Sequence, residues 1–363
     1  MIASSRRHRR GVRGRKGRGK RRVDAFYTET REQPQALRDL VAYYASTEGE
    51  ARLTAAARAL SEPLLTGMGA SYHAALTMLP YWHHLGIGGA VIEATDLLNY
   101  GEWSLAHARS IVYLSQSGAS AEVVPVAARI RKDLSLIGIT NDAASPLARA
   151  AAQGLPLMAG TESFVACKTY VNSLAVLWLL GRHAAGVIDG SEATTLTSIA
   201  DGIAATLADA DAIAAQWLGA FGDAPRLVFV GHGPHAATAR QCAMMTAEWA
   251  KREVLSMGVG AFRHGFIEVI QPDDGVVIFA PPGVSAASTH DLAREVAAYG
   301  ARVQIVAQGN TYEVTDAPLT DNRDEWLSPL RDVIPAQLFV HALAAYRAVP
   351  PGFRYISKVT TRL

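Results

Sequence analysis

Between residues 63 and 180, short apolar runs alternate with longer segments whose apolar residues recur at helical spacing. A short apolar run is typical of a buried strand, whereas apolar positions three and four residues apart are typical of an amphipathic helix. The pattern predicts strands at Pro63–Thr66, Gly89–Ala94, Arg109–Leu114, Leu134–Thr140 and Leu155–Ala159. It predicts helices between and after them at Tyr72–Leu85, Ala121–Lys132, Pro146–Ala151 and Lys168–Leu180. Such alternation is typical of a doubly wound α/β fold around a parallel sheet.

The second half of the chain repeats this pattern after an Ala-rich helical stretch, Ser191–Leu218. Both halves contain a strand that opens onto a Gly-x-Gly turn, at residues 64–69 and 228–233. The remaining elements of this half are predicted as strands Arg226–Val230, Val276–Ala280 and Arg302–Val306, and helices from the turn to about Lys251, Ser288–Tyr299 and Ala336–Tyr346. We therefore predict two pseudo-repeated domains, 63–190 and 191–348, with a helical lead-in over 25–62 and a C-terminal loop over 349–363.

Charge is distributed unevenly along the 363 residues, although the formal net charge is only +2. Residues 1–22 contain eleven Lys or Arg and no acid, which leaves 24 basic against 33 acidic residues in the remainder. Self-repulsion and a lack of apolar residues predict a disordered basic arm over residues 1–24. A solvated tail is the favoured interpretation, and contact with nucleic acid through the arm is the less favoured one.

Cysteine content and hydropathy restrict the class of protein further. The chain has two cysteines, Cys167 and Cys242, so the sequence predicts neither a disulfide framework nor a zinc site. This usage favours a reducing, cytoplasmic compartment. No run of about 18 uncharged apolar residues occurs, so no membrane span is expected.

Ser115-Gln116-Ser117-Gly118-Ala119-Ser120 separates a predicted strand from a predicted helix. A strand-to-helix turn presents free backbone N–H groups and the positive end of the helix dipole, which together attract anions. The side chains of Ser115, Gln116, Ser117 and Ser120 add further hydrogen-bond donors. The turn is therefore a candidate phosphate site, although taken alone an ordinary polar connection with Ser as the helix N-cap is the favoured interpretation.

The first Gly-x-Gly turn, Gly67-Met68-Gly69, has the start of a dinucleotide-binding fingerprint. The third glycine is absent and Tyr72 would crowd the helix–strand contact, so nicotinamide binding is disfavoured. The alternative interpretation is that Gly69 lets a sugar approach the backbone, while Ser71 caps the helix and donates to the ligand.

Three titratable residues elsewhere have both a structural and a functional interpretation. Glu248 is the one acid of a mostly apolar helical segment, where a carboxylate is either paired structurally or kept as a base. His264 follows a glycine-rich turn, where an imidazole is free to reach a ligand. Lys358 lies near the end of the chain, where a lysine is usually only solvated.

Taken together, these segments resemble the SIS (sugar isomerase) domain family, specifically its double-domain group with a flavodoxin-like fold. That group includes the isomerase half of glucosamine-6-phosphate synthase and synthase-like glucosamine-6-phosphate deaminases. The matching segments lie in the family order from residue 32 to residue 363 and are Gly69-Ala70-Ser71-Tyr72-His73, Ser115–Ser120, Glu162 with Val165-Ala166-Cys167-Lys168, Glu248, Phe262-Arg263-His264-Gly265 and Arg354–Thr360.

The resemblance implies a phosphosugar substrate and proton transfer between C1 and C2, without a metal or organic cofactor. It assigns the phosphate to Ser115, Gln116, Ser117 and Ser120, and the sugar hydroxyls to Gly69, Ser71 and the backbone near Val165. It assigns catalysis to three residues, with Glu248 as the base, His264 opening the ring from the neighbouring subunit of a homodimer, and Lys358 lying over the sugar.

The sequence departs from the family pattern around the sugar. Met245 stands at the position of a synthase lysine, and Ala70, Cys167, Ala261 and Phe266 replace a threonine, a Ser/Thr, an acid and a proline. No glutaminase half with a nucleophilic cysteine precedes the isomerase-like segments, so glutamine-dependent amide transfer from this chain alone is not expected. The resemblance favours an isomerase or deaminase of an amino sugar 6-phosphate or of an amine adduct. A non-catalytic phosphosugar sensor and a glutaminase-lacking aminotransferase-type isomerase or deglycase are the alternatives.

Overall fold

The structure, a computed structural model, describes residues 25–314 and 325–360. The predicted basic arm over residues 1–24 and the last three residues of the C-terminal loop lie outside the described residues. Three helices form the predicted lead-in and are α1 (residues 25–31), α2 (Gln33–Tyr44) and α3 (Thr47–Ala59). None of the helices in the described part of the chain is both long enough and apolar enough to cross a bilayer.

The first half contains five strands, which are β1 (Pro63–Gly67), β2 (Ala90–Glu93), β3 (Ser110–Leu114), β4 (Ser135–Thr140) and β5 (Gln153–Pro156). Its helices are α4 (Ala70–His84), α5 (Ala94–Tyr100), α6 (Glu102–His107), α7 (Val123–Arg129), α8 (Pro146–Ala150) and α9 (Lys168–Ala185). All neighbouring strands are parallel, in the order β2-β1-β3-β4-β5. Because the connections leave β1 and β3 in opposite directions, a crevice opens above the carboxyl ends of these two strands.

The second half begins with two helices, α10 (Glu192–Ala208) and α11 (Ala210–Phe221). Its five strands are β6 (Leu227–Gly231), β7 (Leu255–Gly258), β8 (Gly275–Phe279), β9 (Arg302–Ala307) and β10 (Asn310–Tyr312). Its other α-helices are α12 (Pro234–Met245), α13 (Val259–Arg263), α14 (Ala286–Ala298) and α15 (Pro329–Tyr346). The strand order is β10-β9-β8-β6-β7, so the prediction of two doubly wound sheets is confirmed.

The second sheet is not wholly parallel, because its edge strand β10 runs antiparallel to β9. Gln308 and Gly309 connect the two strands and have φ angles of 53° and 76°. Two consecutive residues with positive φ form the tight turn that suits a β-hairpin. The alternation of strands and helices predicted only parallel neighbours, and this hairpin is the exception.

The two halves share their largest apolar core. Helix α4 of the first half and α12 of the second lie against each other, and α9 and α15 flank them with buried faces. Gly69 and Gly233 precede α4 and α12 with nearly identical dihedral angles, φ 52° and ψ −122° against φ 52° and ψ −123°. The repeat therefore extends from the strand order to the backbone of the turn, and its shared core brings residues of both halves to one crevice.

Candidate functional site

The crevice above β1 and β3 contains a cavity of about 260 Å³. Both halves of the chain and the C-terminal loop line it, with the side chains or backbone of Met68, Gly69, Ala70, Ser71, Leu114, Ser115, Gln116, Ser117, Ser120, Glu122, Phe164, Ala166, Met244, Glu248, Phe353, Ile356, Ser357, Lys358, Val359 and Thr360. The structure therefore brings together the predicted phosphate residues, two of the predicted sugar residues and two of the three predicted catalytic residues.

The serine turn holds its shape through its own side chains. The backbone N–H of Gly118 donates to Ser115 Oγ at 3.1 Å, and the N–H of Ala119 donates to Ser117 Oγ at 3.2 Å. Gly118 has φ +58°, and a Cβ there would lie 2.1 Å from Ser145 Oγ, so the turn requires glycine. Ser115 and Ser117 thus shape the turn as well as line the cavity.

Glu122 lines the cavity beside this turn, and sequence reasoning assigned it no role. Its side chain is buried, and its Oε2 has no hydrogen-bond partner among the residues that the structure describes. The only signal in the sequence is an acid directly after a turn suited to an anion, where it opposes the attraction of the backbone N–H groups. Glu122 therefore adds negative charge beside the predicted phosphate site.

The first Gly-x-Gly turn follows β1 as the serine turn follows β3, and residues of both turns line the cavity. Gly69 is the residue that precedes α4, and it makes no side-chain cap. Ser71 lies within the first turn of α4, where its own N–H donates to Met68 O at 3.1 Å. The interpretation of Ser71 as the helix cap is therefore wrong, but both residues line the cavity as expected for ligand contacts.

Glu248 lies in a π-helical turn, Thr246–Ala250, that continues α12. Burial raises the pKa of its carboxyl from 4.5 to about 7, against the opposing charges of Lys358 and Lys251. The helix ends at Lys251, whose φ is +52° and whose ammonium donates to the Glu248 carbonyl oxygen. A carboxyl with a pKa near neutrality can both accept and return a proton, which is the behaviour of a general base.

Lys358 reaches the cavity from the C-terminal loop. Its Nζ donates to Glu162 Oε2 at 2.9 Å and to the carbonyl oxygen of Phe164 at 2.7 Å. Burial alone would raise the pKa of Glu162, but the Lys358 ammonium and hydrogen bonds from Thr169 and Cys167 hold it below its usual range. Glu162 was part of a matched sequence segment without a role, and its contact with Lys358 could not be read from the sequence.

Val165 does not line the cavity as the sequence suggested. Its side chain is fully buried in the core, and its neighbours Phe164 and Ala166 line the cavity instead. The ring of Phe164 also packs against Phe353 of the C-terminal loop, with ring centroids 5.8 Å apart. Apolar residues of this segment and loop therefore form the wall next to Glu248, a feature that the sequence did not indicate.

His264 lies away from the cavity in this single chain. It is exposed after α13 and directly precedes Gly265, which has φ +144°. Phe266 next to it is 49% exposed. The contribution of His264 to a neighbouring subunit's site remains a prediction.

The departures from the family pattern divide into buried and exposed positions. Met245 and Cys167 are fully buried, so neither replacement places a polar group in the cavity. Ala70 lines the cavity directly, where a small apolar side chain leaves more room than a threonine. Ala261 and Phe266 lie on the surface near His264.

The sequence matches the SIS domain family over residues 63–181 and 220–347. It is 25% identical over 334 residues to glutamine–fructose-6-phosphate aminotransferase (isomerizing) of Streptococcus pneumoniae, a match that covers 88% of this chain and 55% of that protein. The chain thus spans about half the length of the curated relatives that it matches.

Two solved structures have a similar fold. The C-terminal domain of glucosamine-fructose-6-phosphate aminotransferase from Francisella tularensis superimposes with a TM-score of 0.78 at 18% identity, over 91% of this chain and 98% of that one. Glucosamine-6-phosphate deaminase from Thermotoga maritima gives 0.75 at 20% identity, over 93% and 99%. At these identities the two structures establish the shared fold.

Proposed function

This chain belongs to the SIS domain family, and from that premise we propose that it catalyses proton transfer between C1 and C2 of an amino sugar 6-phosphate or an amine adduct of a sugar 6-phosphate. One observation carries the proposal: Glu248, with its pKa raised to about 7, lines the same cavity as the serine turn. A base near neutrality and an anion site in one cavity suit an enolisable phosphosugar.

The substrate phosphate binds at Ser115, Gln116, Ser117 and Ser120, which places the sugar carbons toward Glu248. In an open-chain 2-amino sugar, the Glu248 carboxylate removes the proton on C2 and forms an enolamine. The carboxyl exchanges this proton with solvent and delivers a proton to C1, which produces a ketimine at C2. Water hydrolyses the ketimine and releases ammonia and the ketose 6-phosphate, so that no electron acceptor is required.

Lys358 and His264 complete the proposed site. The third N–H of the Lys358 ammonium is free to donate to a sugar oxygen after its two hydrogen bonds with Glu162 and Phe164. His264 opens the sugar ring and comes from the second subunit of a homodimer, because within one chain it lies outside the cavity. Gly69, Ser71 and the backbone of Phe164 to Ala166 hold the sugar hydroxyls.

The direct test supplies glucosamine 6-phosphate and amine adducts of fructose 6-phosphate in deuterated water. We expect release of ammonia or amine, formation of ketose 6-phosphate, and deuterium at the carbon that receives the proton. Glu248→Gln removes all three, whereas Glu253→Gln, an exposed acid shortly after it, leaves them unchanged. Full turnover by Glu248→Gln would contradict the role given to this carboxyl.

Mixing two inactive variants tests the origin of His264. A dimer of one Glu248→Gln subunit and one His264→Ala subunit contains one site with both native residues only if His264 crosses the interface. Random mixing then restores about a quarter of the native activity, because about half of the dimers are mixed and half of their sites are intact. No recovery would show that each site takes both residues from one chain.

A phosphosugar sensor without catalysis is the second candidate, and the buried Met245 favours it. At this position a lysine would place a further cation one helical turn before Glu248, in addition to Lys358 and Lys251. Without the ammonium of that lysine, the site can bind a phosphosugar without transferring its proton. Tight binding of a sugar 6-phosphate with no exchange of the C2 proton into deuterated water would select the sensor.

A further inference from the structure

We propose that Glu162 is a positioning residue that holds the Lys358 ammonium away from Glu248, so that the C-terminal loop closes over the cavity while the base keeps no ion-pair partner. The proposal rests on the proposed function of Glu248 and Lys358. It assigns a task to a buried carboxylate that does not itself line the cavity.

Glu162 has hydrogen-bond partners on both carboxylate oxygens. Its Oε1 accepts from the backbone N–H groups of Cys167 at 2.9 Å and Thr169 at 3.1 Å. Its Oε2 accepts from Thr169 Oγ1 at 2.6 Å and from Lys358 Nζ at 2.9 Å. The side chain is fully buried in this ion pair. Three of the four contacts come from the start of α9, so the carboxylate is fixed before the loop arrives.

The Lys358 ammonium connects the loop to this fixed acceptor. Its second hydrogen bond, to the carbonyl of Phe164, places it against the segment that also lines the cavity. Two residues later, the carbonyl of Thr360 accepts from the N–H of Ala121 at 2.9 Å, directly after the serine turn. The C-terminal loop therefore spans the cavity from the segment containing Phe164 to the serine turn. The Glu162 carboxylate is the charged group that anchors it.

The charges around Glu248 explain why this anchor matters for the base. The cations that face Glu248 are Lys358 and Lys251, and Arg354 of the loop faces Lys251 in turn. Among the described residues, Glu29 is a second carboxylate near Glu162, and Lys168, which faces Glu29, is paired with Glu32 at 2.5 Å. If Glu162 loses its charge, the Lys358 ammonium is left beside Glu248 and Glu122 as the carboxylates of the cavity.

An ion pair with Lys358 would lower the pKa of Glu248 and weaken it as a base. The test is therefore a titration of Glu248 in the resting full-length protein, from the carbon-13 carboxyl signal that disappears in Glu248→Gln. In Glu162→Gln we expect the pKa of Glu248 to fall by about one unit or more from its native value near 7. The lower limb of the pH profile of kcat should move by the same amount, and KM should rise about tenfold because the loop closes less often.

The matched control is Thr169→Val, which removes one hydrogen bond from Glu162 but leaves its charge and the ion pair with Lys358. It should keep the native pKa of Glu248, and Glu162→Asp, which retains the charge, should keep that pKa close to its native value. In the double variant Glu162→Gln with Lys358→Met, the downward shift should vanish because the displaced ammonium is gone. That variant also removes both members of the buried pair, so it folds without an unpaired buried charge.

An unchanged or raised Glu248 pKa in Glu162→Gln would overturn the proposal. So would the same downward shift in the double variant, because Lys358 would then not be its cause. If Glu162→Gln does not fold, hydrogen exchange in Lys358→Met decides for the loop: reduced protection of the Ala121 amide, which donates to Thr360 O, supports the anchor, and native protection overturns it. The titration needs no turnover, so an inactive protein would refute the proposed function and leave this result readable.

Discussion

Replacing Glu248 by glutamine perturbs both catalysis and folding, and the two effects have opposite signs. The pKa of the native carboxyl lies at about 7 because burial opposes its ionisation, whereas its ordinary value is 4.5. Below pH 4.5 the carboxyl is neutral in the folded and unfolded chain, so its ionisation does not lower the free energy of unfolding. As the pH rises from 4.5 to 7, the unfolded chain ionises first, which favours unfolding.

The difference between these pKa values sets the size of the effect. At 1.36 kcal/mol per unit of pKa difference, it corresponds to about 3 kcal/mol by which the free energy of unfolding of the native chain is lowered above pH 7. Glutamine has no charge to desolvate. The free energy of unfolding of Glu248→Gln should therefore rise by this amount relative to that of the native chain as the pH increases from 4.5 to 8. The same variant should lose turnover by about 100-fold to 10,000-fold, which is the usual contribution of a general base.

Urea unfolding at pH 4.5 and pH 8 measures the stability term, and initial rates with the sugar 6-phosphate panel measure turnover. Glu253→Gln provides the control, because an exposed carboxyl nearby in sequence should show neither effect. A stability difference between Glu248→Gln and native protein that stays constant across this pH range would refute the argument that burial raises the pKa of Glu248.

Three further predictions concern the turn and the loop. Ser120→Ala should raise KM for a sugar 6-phosphate about tenfold with little change in kcat, measured by steady-state kinetics, because it removes one donor to the phosphate. Gly118→Ala should destabilise the protein by about 2 kcal/mol or more in urea unfolding, because φ is +58° and the new Cβ would meet Ser145. Glu162 has a lowered pKa, so its stabilisation is present above its ordinary value of 4.5 and is lost as the pH falls below it. Hydrogen exchange should show the protection of the Ala121 amide falling over the same acid range, and a protection factor independent of pH would contradict this.

The apolar runs predicted the strands well because both faces of a parallel sheet are buried. Strands β1 and β3 are buried along their whole lengths, so each was visible as a short apolar run. The edge strand β7, Leu255–Gly258, was missed because it is only partly buried and contains a serine and a glycine. Helices α5 and α6 were missed because seven and six residues are too few to show a helical period.

Helix boundaries depended on interactions that periodicity does not report. The helix predicted over Ala121–Lys132 is confined to Val123–Arg129, since the backbone before it is occupied by the serine turn and the loop. The stretch predicted as one helix from Ser191 to Leu218 breaks at Asp209, between α10 and α11. The change from α-helix to π-helix at Thr246 likewise has no counterpart in the hydrophobic pattern.

Candidate site residues were visible in the sequence where they are close together in the chain, and not where they depend on contact across the chain. The serine turn carries its donors in six consecutive residues, so the sequence alone made it a candidate anion site. Glu162 and Lys358 are 196 residues apart, and only the fold brings them to 2.9 Å. The resemblance assigned the backbone near Val165 to the sugar, but the sequence does not tell that Phe164 and Ala166 face the cavity while the Val165 side chain is buried.

The matching turns at Gly69 and Gly233 bear on how this chain arose. A duplicated domain begins with two equal crevices, and the backbone of both turns still agrees to within one degree in ψ. The first copy has three serines beyond its third strand, whereas the second has Pro281-Pro282-Gly283 in the corresponding segment and only Ser285 as a hydroxyl donor. The second copy has instead contributed Glu248 to the crevice of the first. Under the proposed function the two halves therefore have different tasks, in which the first binds the phosphate and the second supplies the base.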